Sequence, residues 1–199
     1  MRKWKTVSKE IAIDSKHLAL IKAEVELPNG VVSDYFYSDS HGNVVIIPIK
    51  PGEELGSHTY VMVRQYRYPV GSYDLEFPAG RREPGEAILD AALRELRQET
   101  GYLAKEIKLI YSMYSHPSGS NGTTSVCLAV VDDESRANSE LDVEEQHADL
   151  VVEEITPEQL HKKILSMEIT DPHTLAAVAA FTMNSKAATK YLGGKSEEE

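Results

Sequence analysis

At 199 residues the chain is long enough for one full core, or for one main domain with a small appendage, and too short for two large domains. Its 41% apolar and 27% charged residues exclude a disordered or fibrous class. The formal net charge of −11 argues against nucleic acid as a partner, because phosphate-backbone affinity comes from clustered Lys and Arg, so an anionic substrate must be attracted locally by a few arginines or by bound cations.

Residues 1 to about 50 alternate apolar and polar side chains in "WKTVSKEIAID", "HLALIKAEVEL" and "VVSDYFYSD", with "PNG" and "SHGN" as turn signals, and are expected to form short strands. The run "VVIIPIK" is apolar enough for a strand buried on both faces. "TYVMVRQYRYPVG" is expected to be another strand, ending in Arg64 and Arg67, near where loops and ligands meet. From Pro84 to Thr100 the period changes. Ile88, Ala91, Ala92, Leu93 and Leu96 recur at helical steps, with Pro84 suited to a first turn and Gly101 to the stop.

Beyond Gly101, "EIKLIYSMYSH" and "TTSVCLAVVDD" read as paired strands around the loop "PSGSNG". "DDESRANSELDVEEQHADL" is expected to be a long exposed acidic loop, followed by the strand "LVVEEI". "TPEQLHKKILSM" carries a Thr cap and a first-turn proline, and "DPHTLAAVAAFTMNSKAATKYL" opens in the same way, so two helices should close the chain before a disordered tail "GGKSEEE". No apolar run approaches the roughly 20 residues of a membrane span, and no apolar stretch follows the basic N-terminus, so no membrane partner is expected and the cytoplasm is the expected location. The single cysteine, Cys127, excludes an intramolecular disulfide and reads as core.

The chemistry concentrates in "PAGRREPGEAILDAALRELRQETGYL", residues 78–103. Glu95 and Glu99 are four apart on one helix face, with Gln98 beside them. Like charges at that spacing destabilise a helix unless something balances them. Either the face is solvated and balanced by Arg94 and Arg97, or a hard cation such as Mg²⁺ or Mn²⁺ sits between the carboxylates.

Gly80, Glu86, Arg94, Glu95, Leu96, Glu99, Gly101 and Tyr102 resemble the Nudix box, GX5EX7REUXEEXGU with U apolar. Five residues separate Gly80 from Glu86 and seven separate Glu86 from Arg94, and one position departs, Gln98 standing where the first glutamate of the EE pair is expected. An amide oxygen can ligate a hard cation without contributing charge, so one of the site's ions would be lost or bound more weakly.

The resemblance implies an α/β class fold, a Nudix α/β/α sandwich with a mixed sheet, preceded by a small antiparallel β domain. On it, residues 1–48 are expected to be the N-terminal domain, exchanged across a homodimer, 49–192 the hydrolase domain and 193–199 the tail. It also implies Mg²⁺, or Mn²⁺ in its place, held by Glu95, Glu99, the Ala79 carbonyl and, weakly, Gln98. Glu86 would accept from Arg94 to orient the helix, while Gly80 lets the backbone approach the metal.

"RQYRYPVGSYDLEFPAG" and Pro117, sixteen residues after Gly101, resemble the ADP-ribose pyrophosphatase subfamily, so a nucleoside diphosphate sugar is the expected substrate. In "HPSGSNG" the residues Asn121 and Gly122 stand where an acid is common, which leaves GDP-mannose and similar sugars open. By the same resemblance the general base comes from the acidic loop, where Glu145 is favoured over Glu144, with Asp142 third. Arg67, Arg64 and Arg81 are candidates for the diphosphate, Trp4 or Tyr35 for stacking on the base, and Ser120 for a further substrate contact. The alternatives are a Nudix enzyme for an oxidised nucleoside triphosphate or an RNA 5′ end, and a sensor that binds nucleotide sugars without cutting them.

Overall fold

The computed structural model describes residues 3–16, 18–54, 57–136 and 150–184. They fall into two compact units, one being the chain up to Gly42 with Met113–Thr124, the other Asn43–Ser112 with Ser125 onward.

In the first unit, β1 (Lys5–Asp14), β2 (Ala19–Glu26) and β3 (Val32–Asp39) form an antiparallel three-stranded sheet in the order β1-β2-β3. Gly30, at φ +84°, closes the β2–β3 turn through its N–H on Leu27 O, where a side chain would be strained. The edge of β3 holds the loop 117–122: Ser38 N donates to Gly119 O at 2.9 Å and Asn121 Oδ1 accepts from Ser40 N at 2.9 Å.

The second unit is built on β4 (Asn43–Pro51), whose residues Val44 to Ile49 are all buried, as the unbroken apolar run requires. Side chains alternate along a strand, so Val44 and Ile46 face one side and Val45 and Ile47 the other. The first face packs with Ala91, Ala92 and Leu96 of α1 (Ile88–Thr100) and with Cys127 and Ala129 of β9 (Thr123–Val130). Ile47 faces α2 (Pro157–Leu165) and α3 (Pro172–Met183), together with Leu160 and Phe181. Burial pushes the Cys127 thiol up to about 11, in keeping with a core cysteine.

The mixed sheet runs β10 (Val151–Ile155), β5 (His58–Arg67), β4, β9, β8 (Glu106–Tyr114). With helices on both faces this is the expected α/β/α sandwich. Two further strands, β6 (Ser72–Glu76) and β7 (Ala79–Arg81), escaped the sequence analysis because they are short and lie beside turn residues. They occupy a divergence in the sheet. β5 pairs with β4 only over His58–Tyr60 and passes to β6 from Val63, while the other end of β4, Asn43–Val45, pairs with β7. The chain between them is anchored by Ile46 N on Pro78 O at 2.8 Å.

Helix α1 begins at Ile88, four residues later than Pro84 would place it. Pro84 and Gly85, at φ +79°, form a turn in which Glu86 N donates to Glu83 O, and Gly85 does not continue as helix from that conformation. Gly101 ends the helix as expected, at φ +74° with its N–H on Arg97 O. Tyr102, fully buried, donates to Glu154 Oε1 at 2.7 Å, and Lys50 Nζ bridges Asp133 and Glu154 at 2.6 and 3.1 Å. This network ties the end of α1 to β10 and to the 3₁₀ turn Asp133–Ser135, the one described element in the expected acidic loop. The C-terminal helix ends at Met183 with Asn184 as its cap, inside the expected helix, and the remainder of that expected length and the tail lie outside the described residues, among which no helix is long and apolar enough to cross a membrane.

Leu96 is the α1 residue most committed to the core, with no exposed surface. Leu96→Ala should cost about 2–5 kcal/mol in urea unfolding; a cost under about 1 kcal/mol would mean that α1 is not packed on β4 as described.

Candidate active site

Helix α1 turns Glu95 and Glu99 toward β7, and both are buried, at 6% and 5% exposure. Ala79 N donates to Glu99 Oε2 at 3.0 Å. Beside it, a Cβ on Gly80 would fall 2.0 Å from Glu95 Cδ. Glycine is therefore required here by the close approach of a carboxylate, where the sequence suggested approach to a metal.

Arg94 holds this arrangement. Its Nε and Nη2 grip Glu86 Oε1 and Oε2 at 2.9 and 3.0 Å, and Nη2 also donates to Arg81 O at 2.9 Å. Nη1 donates to Glu95 Oε1 at 2.7 Å and to Gln98 Oε1 at 3.0 Å. The Pro84–Gly85 turn makes the first grip possible by returning Glu86 to the helix, where its Oε2 also accepts from Glu83 N at 2.9 Å. The Arg94 guanidinium is the main reason the Glu86 carboxyl titrates below the ordinary glutamate range, and the same pair raises the arginine further above its own.

Arg67, at the end of β5, is paired through Nε and Nη2 with both oxygens of Glu76, a residue only 2% exposed. Its side chain is 44% exposed, and the carboxylate of Glu76 first, then those of Glu99 and Asp171, raise its pKa further above the ordinary arginine value. Glu76 was missed in the sequence. The available signal was an acid between Leu75 and Phe77, in a segment that follows an arginine-bearing strand through a turn.

Arg64 is not brought to this group. Its Nε donates to Glu153 Oε1 at 2.5 Å and its Nη2 to Glu168 Oε1 at 3.1 Å, so the guanidinium joins β5 to β10 and to the residues after α2. Arg81 joins the group through its carbonyl, which accepts from Arg94, while its side chain is exposed. Trp4, Tyr35 and Ser120 come together in the first unit. The Trp4 and Tyr35 rings meet edge-on at 6.0 Å, Tyr35 Oη donates to Ser118 O at 2.8 Å, and Ser120 Oγ donates to Ser38 O at 3.3 Å. Asp142, Glu144 and Glu145 lie outside the described residues. Among the described residues, no three His, Cys, Asp or Glu side chains converge in a metal-ligating set.

Residues 39–178 match the NUDIX domain family, and residues 4–38 match the nucleoside diphosphate sugar hydrolase N-terminal domain family. The chain is 33% identical to the ADP-ribose pyrophosphatase of Bacillus subtilis over 174 residues, 87% of this chain and 90% of that one. It is 31% identical to the methanol dehydrogenase activator of Bacillus methanolicus over the same shares. A crystal structure of an ADP compounds hydrolase superposes with a TM-score of 0.76 at 18% identity, covering 96% of this chain and 98% of that one, a likeness of fold.

Because Arg94 depresses the Glu86 pKa, the pair's stabilisation is complete above the unfolded glutamate pKa and is lost as pH falls through the folded value. Glu86→Gln should therefore flatten the fall of melting temperature between about pH 5 and pH 3; an acid limb as steep as that of the wild type would contradict the pairing. Gly80→Ala should push the Glu95 carboxylate off Arg94 at a cost of up to about 3 kcal/mol, and the same substitution should cost less in a Glu95→Ala background. Equal costs in both backgrounds would show that the obstacle is not Glu95.

Proposed function

The chain belongs to the Nudix family, and from that membership we infer that it is a divalent-metal-dependent hydrolase of ADP-ribose or related nucleoside diphosphate sugars, releasing a nucleoside monophosphate and a sugar phosphate. The observation that carries this reading is the buried Glu95–Glu99 pair, bracketed by Gly80 and by the Glu86–Arg94 grip. The similarity to the ADP-ribose pyrophosphatase of Bacillus subtilis supports the substrate class.

Two carboxylates one helical turn apart, with a backbone carbonyl nearby, are hard oxygen donors of the kind Mg²⁺ and Mn²⁺ take. We assign Glu95, Glu99 and the Ala79 carbonyl as ligands of Mg²⁺, which Mn²⁺ can replace. A divalent ion held there would supply charge neutralisation for the diphosphate and would acidify a water. Arg94 and Glu86 keep the Glu95 carboxylate in place and contribute no ligand themselves. Glu76 fixes Arg67 through Nε and Nη2, which leaves its Nη1 amino group to receive a diphosphate oxygen. The base, on Glu145 or Glu144, is assigned from sequence position alone, as is stacking of the nucleobase on Trp4 or Tyr35.

A homodimer is part of the proposal. Its support is the N-terminal sheet, where Val7, Ile11 and Ile13 of β1 and Val32 and Phe36 of β3 are all at least half exposed.

The test is phosphate release from a panel of nucleoside diphosphate sugars with Mg²⁺, coupled to alkaline phosphatase. The wild type should turn over ADP-ribose or a close relative, and Glu99→Gln should lose that activity. Arg67→Ala should raise KM about 10- to 100-fold, the loss of one or two charge-assisted hydrogen bonds. Binding of these nucleotides without turnover in Mg²⁺ or Mn²⁺ would overturn the hydrolase in favour of a sensor.

A further inference from the structure

An arginine side chain has five N–H donors: one on Nε and two on each terminal nitrogen. In this site Arg94 meets five acceptors: the two oxygens of Glu86, the carbonyl of Arg81, Glu95 Oε1 and Gln98 Oε1. Both hydrogens of Nη1 are accounted for, and Gln98 takes the second.

The charges around this guanidinium are as well defined as its hydrogen bonds. Glu86 and Glu95 contribute two negative charges against the one positive charge of Arg94, and Gln98 supplies the remaining acceptor as a neutral amide. A glutamate at this position would fill the same place but add a third negative charge. It would stand three residues from Glu95 and next to Glu99, on a half-buried surface where the Arg94 guanidinium is already paired and Arg97 is the other cation at hand. A further cation would then lower the negative charge of the helix face.

We propose that position 98 sets how many divalent cations this site takes: Gln98 is held as the fifth acceptor of Arg94 and is not a cation ligand, so the chain binds one divalent ion fewer than it would with glutamate there. The metal-free chain tolerates its own acidic face better as a result. The proposal rests on the assignment of the cation to Glu95 and Glu99.

The experiment is a Mn²⁺ titration of the full chain followed by electron paramagnetic resonance, without nucleotide, together with melting temperatures of the metal-free and Mn²⁺-loaded protein. Gln98→Ala should keep the wild-type number of ions with Kd changed by less than about threefold. Gln98→Glu should bind one more Mn²⁺ per chain, melt below the wild type without metal, and gain more than the wild type when Mn²⁺ is added. Loss of an ion or a Kd weakened about tenfold in Gln98→Ala would make Gln98 a ligand and overturn the proposal, as would an unchanged stoichiometry in Gln98→Glu. Glu99→Gln separates the two layers. If it binds Mn²⁺ like the wild type, the metal assignment itself falls and this proposal with it; if it binds weakly while Gln98→Glu matches the wild type, only the role of Gln98 falls.

Discussion

A guanidinium is planar, permanently charged and rigid, so whatever it binds on two edges at once is fixed in relative position. In this chain Arg94 binds a loop on one edge, through Glu86 and the Arg81 carbonyl, and its own helix on the other, through Glu95 and Gln98. The grip joins the loop to the helix across eight residues of sequence, from Glu86 to Arg94. Burial strengthens the hold, because a half-buried ion pair is screened less than one on the surface.

That interaction could not form unless the strand before the loop were already beside the helix. The divergence of β4 and β5 supplies the place. Where β5 leaves β4 for β6, the rest of that edge of β4 becomes available to β7, and the backbone of Ala79 and Gly80 is carried across the face of α1. The Ala79 N–H then reaches Glu99, and the bare Cα of Gly80 admits the Glu95 carboxylate. Sheet topology, one glycine and one arginine therefore act on the same two acids. The apolar contacts of Ala91, Ala92 and Leu96 on the same helix hold its buried side against β4 and so fix which residues face β7.

Much of this was legible in the sequence. The helical period of α1, its stop at Gly101, the doubly buried β4 and the spacing of Gly80, Glu86, Arg94, Glu95 and Glu99 are local patterns, and local patterns survive folding. The start of α1 was placed too early because Pro84 favours a first helical turn and also favours the second position of a β-turn, and the following Gly85 decided for the turn. Strands β6 and β7 were not legible, since five and three residues carry too little alternation to stand out from neighbouring Pro and Gly. With them went Glu76, whose importance depends on a strand partner that no periodicity announces.

The two arginines of β5 show what a stricter use of strand geometry yields. Arg64 and Arg67 are three residues apart, and side chains on a strand alternate, so an odd separation sends them to opposite faces of the sheet. One strand cannot offer both to one ligand. The face is chosen by neighbours: Val61 is in the core under α1, and Arg67, six residues on, shares its parity and its side of the sheet, where Glu76 receives it. Arg64 has the parity of Met62 and finds Glu153 and Glu168 instead. In a protein with a net charge of −11, arginines such as Arg64, Arg67 and Arg94 meet carboxylates of the chain itself, so anion capture depends on a cation held with an amino group to spare. Arg67 meets that condition because Glu76 occupies only one edge of its fork, and a buried acid that lowers the local positive charge also gives that charge a fixed direction.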